Sequence, residues 1–284
     1  MKDSVKLILS LLPIIVLIIL FFISPIVITF QRSMEDMHGA SVGLDRYAKL
    51  FSDPKFLDAF WYTLEMAVVA TVISAALAII IAMALRETFI GKRITIFLIQ
   101  TNISIPHIAM ATMVIMLISQ TGIISAAAYH LGLIETWSDF PRLVYGPSSF
   151  GTIFSYSLKF VPFICISVLS ILQSFSRDYE DQSATLGVGR IRTFFFITLP
   201  AIRSSVYTTS MIVFCFAFGS YDVPMLLGRT NTLSMLAYNS YYSLSSFDAR
   251  YDGYAISIVI AVITLTITAI YLYMSFSPKK EGKG

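Results

Sequence analysis

The stretch Asp181–Pro200, DQSATLGVGRIRTFFFITLP, carries Asp181, Arg190 and Arg192 around a central Gly187, and lies between apolar runs of membrane-spanning length. A charged segment of this length is not stable in hydrocarbon, where ionised side chains and free backbone groups are costly. It is therefore expected to be a loop on one side of a bilayer, joining two spanning helices. Read as helix, turn, helix, it starts with a short amphipathic segment near Asp181. It turns at Gly187, where glycine tolerates a positive φ that other residues resist. It continues from Val188 to Phe196 as a second short helix, and Pro200 marks the start of the next span, where its missing N–H does least harm.

Working outward, the 284 residues are 56% hydrophobic and 13% charged, against about 25% charged residues in soluble domains. A spanning helix needs roughly 20 mainly apolar residues. Six segments qualify, at about 7–30, 60–85, 94–119, 149–173, 204–227 and 253–276. The expectation is an all-α membrane protein with one transmembrane domain over 1–284 and a polar loop at 176–203. The first apolar run exceeds a signal-peptide core and no small-residue cleavage site follows it, so it reads as a retained helix.

Lys and Arg counts near the span ends orient such a chain. With the N-terminus inside, Lys2, Lys6, Arg86, Lys92, Arg93, Arg177, Arg190, Arg192, Arg203, Lys279, Lys280 and Lys283 are cytoplasmic. Arg32, Arg46, Lys49, Lys55, Arg142, Arg229 and Arg250 lie outside, and Lys159 falls within a span. The bias places both termini and the 176–203 loop in the cytoplasm. The net charge of +3 reflects this asymmetry, and basic residues spread over four segments do not form a nucleic-acid surface. Cys165 and Cys215 both lie in apolar spans and read as reduced packing residues. In the outer connections, Leu44, Tyr47, Leu50 and Phe51 have helical spacing before Asp53-Pro54. Trp61, Tyr62 and the tyrosines between 238 and 254 suit an aromatic belt.

The spacing Gly187-x6-Phe194-x2-Ile197-x-Leu199-Pro200 resembles the cytoplasmic coupling loop of binding-protein-dependent ABC importer permeases. The match departs at its head, where Asp181, Gln182 and Ser183 stand for Glu-Ala-Ala, and at Val188. The resemblance implies the type I permease fold of that family, and a helix pair that fits a cleft on an ATPase subunit. It assigns coupling to Asp181, Gly187 and Arg190 and helix anchoring to Phe194, Ile197 and Leu199, with Pro200 closing the coupling-loop motif at the entry to the next span. The alternative for the loop is a segment resting on inner headgroups, with Arg190 and Arg192 on phosphates. The segment FGSYDVPMLLG at 218–228, followed by Thr232-Leu233, resembles the branch of these permeases that handles polyamines, phosphonates and ferric iron.

Polar groups within the spans are candidates for a solute pathway. Lys159, with Pro162 close behind it, either lines a pathway or snorkels to the surface. Asp222, beside Tyr221 and before Pro224, either offers a carboxylate to a cationic solute or sits at the headgroups, and Glu65 is open to the same two readings. His107, after Pro106, either lines the pathway or bonds a carbonyl freed by the proline.

No Gly-x4-Gly-Lys-Ser/Thr phosphate loop, His-Glu-x2-His or local Ser/His/Asp signature is present. The chain is thus not expected to hydrolyse ATP itself, and the resemblance implies a transport subunit, not an enzyme, holding neither metal nor cofactor, with ATP and magnesium on a partner. The resemblance implies two ATP-binding subunits, a second permease subunit and an extracytoplasmic solute-binding protein, in a bacterial or archaeal cytoplasmic (inner) membrane. A secondary transporter or an intramembrane enzyme is the alternative; the first leaves the Gly187–Pro200 loop unexplained, and the second lacks a matched pair of catalytic polar residues.

Overall fold

The computed structural model describes residues 2–175, 178–244 and 248–276. Ser176 and Arg177 of the expected loop, and the tail with Lys279, Lys280 and Lys283, lie outside the described residues. Among those described the chain is helical, and the one β-type pairing is an isolated bridge between Glu35 and Ser41. Six helical stretches are long and apolar enough to cross a membrane: Ser10–Ser33, Pro54–Arg86, His107–His130, Phe150–Ser174, Arg190–Gly219 and Ala249–Tyr273.

Two stretches differ from the sequence expectation, and proline chemistry accounts for the first. The run expected as one helix at 94–119 is split into Lys92–Ser104 and His107–Ile118. Pro106 disfavours helical backbone at the residue before it, and Ile105 is extended, with φ −70° and ψ 127°. The fifth helix, expected at 204–227, runs instead without interruption from Arg190 to Gly219, and Asp222–Leu226 forms a separate short helix.

Pro200 thus lies inside a continuous helix and does not begin one. An interior proline collides with the carbonyl four residues earlier and contributes no N–H. Phe194–Thr198 meets this difficulty by adopting a π turn, with the Leu199 N–H donating to the Phe194 carbonyl. The same device recurs at Ile19–Ile23, where the Ser24 N–H donates to the Ile19 carbonyl just before Pro25. In each case the widened turn ends two residues ahead of the proline.

The chain divides into two compact units. The first comprises Met1–Trp61 and Asn231–Ile263. Its organising residue is Arg46, buried with its guanidinium 2.5 Å from Asp252, 3.2 Å from Asp248 and 3.0 Å from the Glu35 carbonyl. Burial alone would lower the Arg46 pKa, but the hydrogen bonds that Arg46 donates to the Asp252 and Asp248 carboxylates outweigh it and raise the pKa above the ordinary arginine value. Gly253 lets the sixth helix approach Leu233–Tyr241: a Cβ there would lie 2.9 Å from the Ala237 carbonyl oxygen.

The second unit comprises Tyr62–Thr230 and Thr264–Gly284. Its centre is the Phe150–Ser174 helix, which buries Tyr156, Ile164, Val168 and Leu172. This helix packs against Lys92–Ser104, His107–Ile118 and Leu199–Gly219. Arg229 is buried beside it, with Nε donating to the Tyr62 hydroxyl at 2.7 Å and Nη2 to the Pro147 carbonyl at 2.6 Å.

Candidate functional site

Two short helices, Asp178–Thr185 and Arg190–Thr193, form the polar loop. Gly187 ends the first with φ 75°. Its N–H donates to the Ala184 carbonyl at 3.0 Å, and the Val188 N–H to the Ser183 carbonyl at 3.0 Å. This is the Schellman arrangement, which satisfies carbonyls a helix end leaves free and favours glycine at the left-handed position. Ser183, where the family pattern has alanine, bridges the two helices: its hydroxyl lies 2.7 Å from that of Thr193 and donates to the Glu180 carbonyl at 3.0 Å.

Glu180 fastens this helix pair to the membrane helices. Arg86, at the end of Pro54–Arg86, donates through Nη1 to both Glu180 carboxylate oxygens at 2.7 Å. Arg86 Nη2 reaches the Phe175 carbonyl at 3.1 Å, and Thr198 Oγ1 donates to Glu180 Oε1 at 2.6 Å. The carboxylate therefore joins the end of the second span, the loop helix and the π turn that leads into the fifth span. The Arg86 side chain is 6% exposed and that of Glu180 22%, so the pair lies in a region of low dielectric, where such contacts are strong. Asp181, the acid that the resemblance assigns to coupling, is the next residue and is exposed. Arg86 was read from sequence only as a topological charge.

The outer side of the loop is accessible. Asp181, Gly187, Arg190 and Arg192 are exposed, while Phe194, Ile197 and Leu199 are half-buried and Pro200 is exposed. Leu186 and Ile191 are 82% and 76% exposed, a waste of apolar surface on a polar loop unless something covers it. Neither was picked out from sequence, because two isolated aliphatics in a polar segment carry no periodic signal.

The residues proposed for a pathway are placed differently. Lys159 is buried, and Nζ donates to the carbonyls of Asn102, Ile103 and Ile105 at 3.2, 2.9 and 2.5 Å. A cation belongs there, because the C-terminal carbonyls of Lys92–Ser104 lose their helical donors at the Pro106 break. Lys159 thus takes the freed carbonyls that His107 was a candidate to bond. His107 stacks instead on Phe216, with ring centres 4.1 Å apart, and its Nε2 has no hydrogen-bond partner among the described residues. Tyr221 is exposed and Asp222 half-buried, beyond the end of the fifth helix at Gly219.

A cavity of about 870 Å³ lies between Pro54–Arg86, Lys92–Ser104 and Phe150–Ser174. None of Lys159, His107, Tyr221 or Asp222 lines it; Glu65, Asn102 and Ser157 do.

Residues 74–282 match the family model described as "Binding-protein-dependent transport system inner membrane component". The trehalose/maltose transport system permease protein of Thermococcus litoralis is 25% identical, over 93% of this chain and 91% of the relative. The sulfate transport system permease protein of Synechococcus elongatus is 25% identical, over 92% and 91%. A spermidine/putrescine transport system permease homologue of Mycoplasma genitalium is also 25% identical, over 73% and 66%. With identities this even, the polyamine branch is not singled out. Among solved structures, a chain of a bacterial ABC transporter involved in the import of the acidic polysaccharide alginate superimposes with a TM-score of 0.75, at 22% identity and 98% coverage of both chains. That likeness shows the fold.

Proposed function

We propose, from the premise that this chain belongs to the family of binding-protein-dependent transport system inner membrane components, that its exposed loop is the site where separate ATPase subunits drive solute import. As a family member it is a multi-pass permease, a transport component and not an enzyme. ATP and magnesium bind to the ATPases, not to this chain. Six spans form half of the pathway and a second permease subunit the other half, with a solute-binding protein delivering cargo on the extracytoplasmic side. The alginate transporter has been solved with a solute-bound periplasmic protein, which supports a partner of that kind here. The excess of basic residues on one set of loops supports an orientation with both termini and the 178–193 helix pair in the cytoplasm.

The observation that carries this reading is the loop itself: accessible on its outer side and tied through Glu180 to the second span and the start of the fifth. Force applied to it reaches two spanning helices through hydrogen bonds and not through a slack linker. The solute is proposed to be small and polyamine-like, supported by the 218–228 segment.

The test is gentle-detergent purification of the tagged chain from its own cell, with mass spectrometry of its companions. A phosphate-loop ATPase and a six-span protein are expected, both lost on Gly187→Asp. Repeated recovery of the chain alone, under crosslinking, would overturn the importer reading in favour of a self-sufficient carrier.

A further inference from the structure

We infer that the π turn at Phe194–Thr198 is a register device for coupling: it turns Thr193 and Thr198 toward the same loop helix, so that the helix pair and the fifth span move as one lever. Ser183, Thr193 and Thr198 are then positioning residues. Their part in coupling rests on the importer reading above.

A π turn closes over five residues where an α turn closes over four, and so inserts one residue into a helix. Here the Leu199 N–H donates to the Phe194 carbonyl, within a helix that runs on from Arg190 to Gly219. At about 100° per residue, Thr193 and Thr198 would stand about 140° apart on a regular α-helix and face different neighbours. Across the widened turn they are one turn apart and lie on nearly the same side.

That shared side is in use. Thr193 Oγ1 lies 2.7 Å from Ser183 Oγ, and Thr198 Oγ1 donates to Glu180 Oε1 at 2.6 Å. Glu180 and Ser183 are three residues apart on Asp178–Thr185, a spacing at which side chains share a helix face. Ser183 donates to the Glu180 carbonyl at 3.0 Å, which leaves Thr193 as the donor between the two hydroxyls. Ser183 and Thr198 are both buried, so water does not readily replace either bond. One such bond would leave a pivot between the loop helix and the span. Two bonds, one on each side of the π turn, fix the rotation as well.

The extra residue is not there for its own packing. Phe195 and Phe196 are exposed, Phe196 by 79%. What the insertion changes is the direction that Thr198 and the rest of the span face relative to Arg190–Thr193. The other π turn, Ile19–Ile23, contains only Ile, Leu and Phe. It cannot form a polar joint of this kind and serves as an internal control.

The test uses the complex purified through a tag on this chain and placed in nanodiscs. Spin labels are attached through Tyr179→Cys on the first loop helix and Tyr207→Cys on the fifth span, both at exposed positions, in a background with Cys165→Ala and Cys215→Ala. Double electron–electron resonance measures their separation with and without magnesium-ATP and vanadate, which trap the ATPases closed and so load the loop. A single narrow distance, unchanged under load, is expected. Phe196→Ala, which keeps the residue count, and deletion of Phe21 from the other π turn should both reproduce it. Deletion of Phe196 rotates the loop helix by about 100° relative to the span and should shift the distance by about 5 Å, the scale of one helical turn. Thr193→Val with Thr198→Val keeps the count and the shape of both side chains but removes both hydroxyls, and should lose the single narrow distance. Thr193→Ser with Thr198→Ser should retain it, a rescue that lowered stability alone does not produce. If melting curves show that the deletion does not fold, the valine and serine pairs decide. A wild-type distance that changes under load, or one that is the same in the deletion and the valine pair as in wild type, overturns the register device and leaves the importer reading intact where the ATPase is present. A wild-type preparation that repeatedly lacks an ATPase removes that reading and, with it, the load that the joint is inferred to carry.

Discussion

The Arg86 guanidinium holds both carboxylate oxygens of Glu180 at 2.7 Å across 94 residues of sequence. With Thr198 on the same carboxylate, the contact joins the loop helix to two spans. Breaking it takes from a partly buried charge its bidentate partner, which costs about 3 kcal/mol. Arg86→Ala and Glu180→Ala are each expected to lower the melting temperature of the purified protein clearly. They should also reduce the ATP hydrolysis that solute stimulates in the assembled complex. The Arg86→Glu/Glu180→Arg exchange should recover part of both. A double variant no better than the sum of the single changes would show that the pair does not act as a unit.

Gly187 has a left-handed backbone, but a Cβ built on it meets no atom within 4 Å. Within the chain, substitution therefore brings only conformational strain, of about 1 kcal/mol. Gly187→Asp should remain in the membrane with a nearly unchanged melting curve, yet lose most of its co-purifying ATPase. Gly187→Ala should fall between it and wild type. Retention of the ATPase by Gly187→Asp, measured by quantitative mass spectrometry, would mean that the loop is not the docking element.

The Lys159 ammonium serves three carbonyls at the end of Lys92–Ser104. Lys159→Met keeps the length of the side chain and removes its donors, leaving carbonyls exposed by the Pro106 break unsatisfied. A loss of about 3 kcal/mol is expected, read as a lower melting temperature in detergent. Uptake per folded molecule should keep its solute preference, because the Lys159 ammonium is spent on backbone carbonyls. A changed preference at unchanged stability would instead place Lys159 on the pathway.

What the sequence made legible follows the range over which each feature is determined. Six apolar runs and the Gly187 turn are local: each is decided by some twenty residues or fewer. The split at Pro106 is also local, but an unbroken hydropathy profile across 94–119 masked it. The Glu180 contact was not legible, because two adjacent acids, Glu180 and Asp181, differ by about 100° around a helix. Only the packed position of Arg86 decides which of them turns inward. The same holds for Lys159, whose partners are backbone carbonyls and leave no trace in residue type.

Gly228 contrasts with Gly187, although their backbones are alike. Its φ is 71°, and a Cβ there would lie 2.6 Å from Cδ1 of the Tyr145 ring. Tyr145 is itself held at φ 57°, with its N–H donating to the Leu227 carbonyl at 3.3 Å. It cannot retreat without disturbing the turn at Gly146 and Pro147, whose carbonyls accept from Arg229. At Gly228, alanine therefore adds a steric collision to the conformational strain that Gly187→Ala brings alone. Gly228→Ala is expected to cost about 2–3 kcal/mol, against about 1 kcal/mol at Gly187. Tyr145→Ala added to Gly228→Ala should remove the collision but not the strain, so the double variant should be more stable than Gly228→Ala plus the separate cost of Tyr145→Ala. Thermal denaturation of the four proteins measures this coupling directly, and strict additivity would show that the ring and the glycine do not meet in solution.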